Sequence, residues 1–159
     1  MLNVDILCVG KIKERYLTDA IDEYRKRLGS YLNLNMIEVK DEKTPDKASE
    51  KEEELILAAE GERLSKYIDE RAYVIAMAVE GKQYDSPAFS RLIEDIQMEH
   101  SKIQFVIGGS LGIEDPIKKR ADELISFSKM TFPHQLMRVI LLEQIYRAEK
   151  IMKREPYHK

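Results

Sequence analysis

The chain has 159 residues, 43% of them hydrophobic and 35% charged, with a formal net charge of −3. That balance suits one α/β domain with a real core, and it excludes both a disordered chain and a strongly basic nucleic-acid module. Its single cysteine, Cys8, rules out an internal disulfide, and the longest stretch free of Asp, Glu, Lys and Arg, residues 103–113, is too short to span a bilayer.

Residues 2–9 form a short apolar run ending at Gly10, which predicts a buried strand and a reduced, buried Cys8. The start of the chain carries neither the basic segment nor the long apolar segment of an export signal, so a cytoplasmic location is expected. Across residues 13–28, Tyr16, Leu17, Ala20, Ile21, Tyr24 and Leu28 recur at helical spacing, with Gly29 as the stop. A second strand is predicted over residues 34–39 and a charged loop around Pro45 over residues 41–47.

Ser49 with Glu52 three residues on has the form of a capping box, opening a long charged helix to about residue 68. A third strand is predicted over residues 72–79, closed by Glu80-Gly81-Lys82. Ser86 followed by Pro87 predicts an N-cap with proline at the first helical position, and a helix to about residue 99. Strand four, residues 103–107, runs into Gly108-Gly109, and Asp115-Pro116 starts a short helix to about residue 123. A fifth strand at residues 124–128 and a long helix at residues 133–153 complete the chain. Strands alternating with helices predict a mainly parallel sheet with helices on both faces.

Charge is unevenly distributed. Residues 41–70 hold 11 acidic and 5 basic side chains, whereas residues 133–159 hold 6 basic and 3 acidic ones. A polyanion should therefore meet the C-terminal end.

Four features could carry chemistry. Gly108-Gly109-Ser110-Leu111-Gly112 follows a buried strand, at the edge where open α/β sheets bind ligands. Its spacing is not that of a dinucleotide fingerprint, and from spacing alone it is as readily a tight turn as a ligand site. Phe127-Ser128-Lys129-Met130-Thr131-Phe132-Pro133-His134 also joins a strand to a helix, whose free N–H groups suit polar ligand atoms. On the last helix, Arg138, Glu143, Gln144 and Arg147 interrupt side chains that are apolar nearly all round, which implies burial on more than one side, partly against a second subunit. The tail joins Arg154, Tyr157 and His158, groups able to contact phosphate, stack on a base and move a proton. Cys8, His100, His134 and His158 show no metal-ligand spacing, so no metal is expected.

Taken together, the glycine turn, the 124–134 segment, Arg138-Val139 with Glu143-Gln144-Ile145-Tyr146-Arg147-Ala148, and the closing Pro156-Tyr157-His158 resemble the bacterial ribosomal RNA large subunit methyltransferase H family, of the SPOUT class. Val9-Gly10-Lys11 and Ala20-Ile21-Asp22-Glu23-Tyr24 match as well, so the resemblance spans essentially the whole chain. It implies a SPOUT-type α/β fold with a C-terminal trefoil knot, and S-adenosylmethionine as methyl donor. It implies that the donor is held by Met77, Gly108, Phe127, Ser128, Lys129, Met130, Thr131 and Phe132. Where this chain has Met77 the family commonly has leucine, a conservative apolar exchange. The implied reaction is methylation of N3 of a pseudouridine in 23S rRNA by a homodimer in which one subunit's tail completes the partner's site; the modest basic surplus of the C-terminal end adds the expectation that the substrate is the assembled ribosome, whose shape supplies much of the selectivity. His134, Tyr157 and His158 are then candidate proton acceptors, unranked, and Arg138, Arg147 and Arg154 candidate partners for phosphate or for the developing N3 anion. Two rivals stand beside this reading. One is a dimer that grips rRNA or a nucleotide without catalysis. The other is a flavodoxin-like or other nucleotide-dependent enzyme that uses the glycine turn for phosphate.

Overall fold

The computed structural model describes residues 1–159. Its elements alternate as the sequence pattern requires: β1 (Asn3–Val9), α1 (Arg15–Leu28), β2 (Asn33–Val39), α2 (Glu50–Ser65), β3 (Tyr73–Gln83), α3 (Ser86–Glu99), β4 (Lys102–Ile107), α4 (Asp115–Arg120), β5 (Glu123–Ser126) and α5 (His134–Met152). The five strands form one parallel sheet in the order β2-β1-β4-β3-β5. Burial on both faces explains the near-continuous apolar runs in β1 and β4.

Side chains alternate across that sheet. Val4, Ile6 and Cys8 of β1, with Ile103 and Phe105 of β4, face a core built with Leu17, Phe89, Ile93, Leu141 and Ile145 from α1, α3 and α5. Leu7, Val9, Val74 and Val106 point the other way, into a smaller core with Leu64 of α2 and Ile117 of α4. Each fully buried aliphatic or aromatic side chain contributes about 1.5–3 kcal/mol, so these two layers supply most of the driving force. Buried Gln104 of β4 is satisfied: its Nε2 donates to Asp5 and to the Tyr67 carbonyl, both at 2.8 Å.

Ser49 and Glu52 form the capping box reciprocally. At α3 the expectation is corrected by one residue. Asp85 is the N-cap and accepts from the Ala88 N–H at 2.8 Å, while Ser86 Oγ donates to Gln144 Oε1 at 2.8 Å and ties α3 to α5. Strand β3 does not stop at residue 79. The chain bulges out after Met77 and resumes at Lys82, both residues pairing with Ile125, and pairing continues to Gln83. Gly81 permits this, because a Cβ there would lie 2.6 Å from the Ile125 nitrogen. Helix α4 ends at Arg120, earlier than predicted, because Asp122 turns to β3. The Asp122 carboxylate accepts from the Val74 N–H, and the Asp122 N–H donates to the Val74 carbonyl, each at 2.8 Å.

Candidate functional site

Three segments at the carboxyl edge of the sheet surround one cavity of about 680 Å³, within the range of sites that enclose a small organic ligand. The bulge of β3 supplies one wall from Met77 to Glu80, the glycine turn after β4 a second, and the segment after β5 a third that runs to His134. Open α/β sheets bind ligands at this edge, because loops there leave backbone groups unpaired.

Each wall has a local reason for its shape. In the glycine turn the Gly112 N–H donates to the Gly109 carbonyl at 3.0 Å, and Gly112 has φ +88°, which favours glycine. Gly108 is packed against that turn: a Cβ on it would come within 2.2 Å of the Gly112 carbonyl oxygen. The third wall is pinned by Ser126, whose hydroxyl donates to the Ser128 carbonyl at 2.9 Å, and by Ser128 Oγ, which accepts from the Met130 N–H at 3.0 Å. Half the lining is apolar, with Phe127 and Phe132 as its broad surfaces, so a flat ring could be covered while backbone atoms take its polar edge.

The predicted binding residues Met77, Gly108, Phe127, Ser128, Met130, Thr131 and Phe132 all line the cavity, whereas Lys129 sits on the same segment with its side chain exposed away from it. Of the predicted reactive residues, His134 lines the cavity too. Burial, helped by the nearby Arg138 charge, holds its imidazole below the usual histidine range against the opposing pull of Asp41 and Glu14. At neutral pH His134 is thus uncharged and able to accept a proton.

Arg138 does not reach the cavity. It is buried to 1% exposure and bonds Glu38 at 2.7 Å and the carbonyls of Val9 and Gly10 at 2.8 Å each. Expected to meet phosphate or the developing N3 anion, this guanidinium instead has three protein acceptors in place and anchors the ends of β1 and β2. Arg154 is also away from the cavity. It has φ +56° and closes α5, its N–H donating to the Ile151 carbonyl at 3.1 Å and that of Glu155 to the Lys150 carbonyl at 2.9 Å.

The tail folds back on α5. The Tyr157 ring meets Tyr146 edge-on with centroids 5.0 Å apart, and the Arg147 guanidinium lies 4.7 Å from the Tyr157 centroid. Arg147 also bonds Glu143 at 2.8 Å and lies 3.1 Å from His158 Nδ1. Glu155 is held by Tyr31 and Lys150, both at 2.8 Å. His158 reaches a second cavity of about 530 Å³ beside Tyr84 and Gln144, which shares Phe127 and Phe132 with the first. The structure thus places His134 in one cavity and His158 in its neighbour.

Sequence reasoning missed the Glu80–Lys118 ion pair, 2.6 Å long, on the rim of the first cavity. Glu80 had the look of a strand terminus, and nothing in the short α4 marked Lys118. No three His, Cys, Asp or Glu side chains gather in a way that could hold a metal ion, and no helix is long and apolar enough to cross a membrane.

The sequence profile described as "Predicted SPOUT methyltransferase" matches residues 2–158. The chain is 58% identical to a protein of Bifidobacterium adolescentis, 55% to one of Streptococcus pyogenes serotype M5 and 54% to one of Clostridium acetobutylicum, each named "Ribosomal RNA large subunit methyltransferase H". Each match covers 99% of this chain and 100% of the relative. Among solved structures, a probable methylase family protein from Haemophilus influenzae shares the fold with a TM-score of 0.53 at 12% identity, over 98% of this chain and 70% of that one.

Proposed function

This chain belongs to the SPOUT methyltransferase family, and we propose that it transfers a methyl group from S-adenosylmethionine to N3 of a pseudouridine in 23S rRNA of the assembled ribosome. The observation that carries the reading is the cavity at the sheet's carboxyl edge. Seven of the eight residues expected to hold the donor line it, and the glycine turn that forms one wall is packed too closely at Gly108 to admit a Cβ. Those residues suit the donor. Phe127, Phe132, Met77 and Met130 offer apolar surface to an adenine ring, and the turn and third wall offer backbone groups to its polar edge and ribose.

Bound there, S-adenosylmethionine would supply a methyl on a sulfonium sulfur, already activated toward a nitrogen nucleophile. The protein's contribution is geometric: fixed walls hold both reactants in line, which is worth several kcal/mol or more. N3 of the base must shed its proton, and a positioned base adds roughly 10²–10⁴-fold. That single proton goes to one acceptor: His134, neutral at the cavity wall, or else His158 or Tyr157 of the tail. Arg147 and Arg154 belong to the basic end that meets rRNA.

The active unit is a homodimer packed through α5. Val139 and Ile140 remain half-buried and Leu136 exposed on that helix, and a partner would cover them. In it the tail closes over the partner's cavity, the release of its contacts with Arg147 and Tyr146 being compensated by the new ones. The cell compartment is the cytoplasm, where ribosomes are made.

Titrating S-adenosylmethionine into the purified protein should give a saturable heat. A dimer that merely grips rRNA or a nucleotide, or an enzyme that uses the glycine turn for a nucleotide phosphate, would give none.

A further inference from the structure

Helix α2 carries charge on most of its surface, yet Glu60 and Gly61 within it are buried. Glu60 is 4% exposed, and a carboxylate is costly to bury without partners. Its Oε2 accepts from the Glu42 N–H at 3.0 Å, while its Oε1 is buried without any partner. Both oxygens lie against the glycine turn: a Cβ on Gly109 would stand 3.3 Å from Oε1 and 3.5 Å from Oε2. Next to it, a Cβ on Gly61 would lie 2.1 Å from the Glu114 side chain, so α2 is pressed onto the exit of the same turn.

The loop between β2 and α2 is stitched to this point. Arg63 bonds the Glu42 carboxylate, and its Nη1 donates to the Lys40 carbonyl at 2.8 Å. Thr44 Oγ1 and Ser110 Oγ lie 3.4 Å apart. The charges that face Glu60 are Asp41, Glu42 and Arg63, and burial pushes its carboxyl above the usual range.

We propose that Glu60 is a positioning residue for the methyl-donor site: from behind Gly109 it sets the height of the 108–112 turn, and through Glu42 it ties the acidic loop to that turn. Glu60 does not line the cavity and touches no reactant. The proposal rests on the assignment of that cavity to S-adenosylmethionine.

The test compares E60A and E60Q with E62A, an exposed neighbour on the same helix. Donor affinity by calorimetry, KM and kcat, and Tm are measured for each. E60A should raise the Kd and KM for S-adenosylmethionine by about tenfold or more while kcat at saturating donor stays within about threefold. E60Q, which keeps the shape and an acceptor for the Glu42 N–H, should recover most of the affinity even if E60A is too unstable to purify. E62A should match the wild type. E60A binding the donor as the wild type does would overturn the proposal, and so would E60Q binding no better than E60A. So would a fall in Tm and kcat with Kd unchanged, which would assign Glu60 to folding alone. A wild-type protein with no affinity for S-adenosylmethionine would sink the cavity assignment itself, and this inference with it.

Discussion

Gly108→Ala is expected to weaken S-adenosylmethionine binding by about 100-fold or more while leaving the fold intact. The added Cβ would stand 2.2 Å from the Gly112 carbonyl oxygen, 2.4 Å from the Gly112 carbonyl carbon and 2.9 Å from Ile113 Cγ1. The first two are backbone atoms and cannot swing aside as a flexible side chain would. The turn must therefore open, and the wall it forms moves with it. Gly112→Ala is the internal control. A Cβ there meets nothing within 4 Å, and the cost is the φ of +88° alone, about 1 kcal/mol. Calorimetry on both variants, with circular dichroism to verify folding, separates a blocked site from a strained turn. Binding by Gly108→Ala within a few-fold of the wild type would show that the turn does not shape the site.

The second large effect is on stability. Arg138→Met keeps the apolar stem and removes the charge, leaving the carbonyls of Val9 and Gly10 without their donor and Glu38 without its partner. Breaking a buried pair typically costs 3–5 kcal/mol, but Glu38 is 40% exposed and regains water, so about 2–4 kcal/mol is expected. For a chain of this size that lowers Tm by roughly 5–15 °C at fixed protein concentration. Arg138→Lys should rescue little, since one ammonium cannot reach three acceptors in a fork. A change in Tm below about 2 °C would mean that the anchor is dispensable.

These two residues also mark the limits of what the sequence made legible. The glycine turn could be found because its chemistry is local: a buried strand, then glycines, at the edge where ligands bind. The capping box at Ser49 and the five-strand alternation were readable for the same reason. Arg138 was not, because its partners Glu38, Val9 and Gly10 lie 100 to 129 residues away and only the tertiary fold brings them together. From the helix pattern alone it stands only as one of four polar side chains among apolar ones, suited to phosphate or the N3 anion. The bulge after Met77 was equally hidden, since Glu80-Gly81-Lys82 is a good strand ending and only pairing with β5 carries the strand past it. Nothing in the sequence sets Glu60 apart from the other charges of α2. Its burial follows from the close approach that Gly61 allows against Glu114, a contact between positions 53 residues apart.

The central claim is that this fold delivers a methyl group to one base of ribosomal RNA. It is tested most directly by incubating the purified protein with tritiated S-adenosylmethionine and ribosomes from a strain lacking the enzyme, then digesting the RNA to nucleosides. Label confined to N3-methylpseudouridine from a single 23S position is the predicted result. Donor binding without transfer, or label spread over other nucleosides, would contradict it.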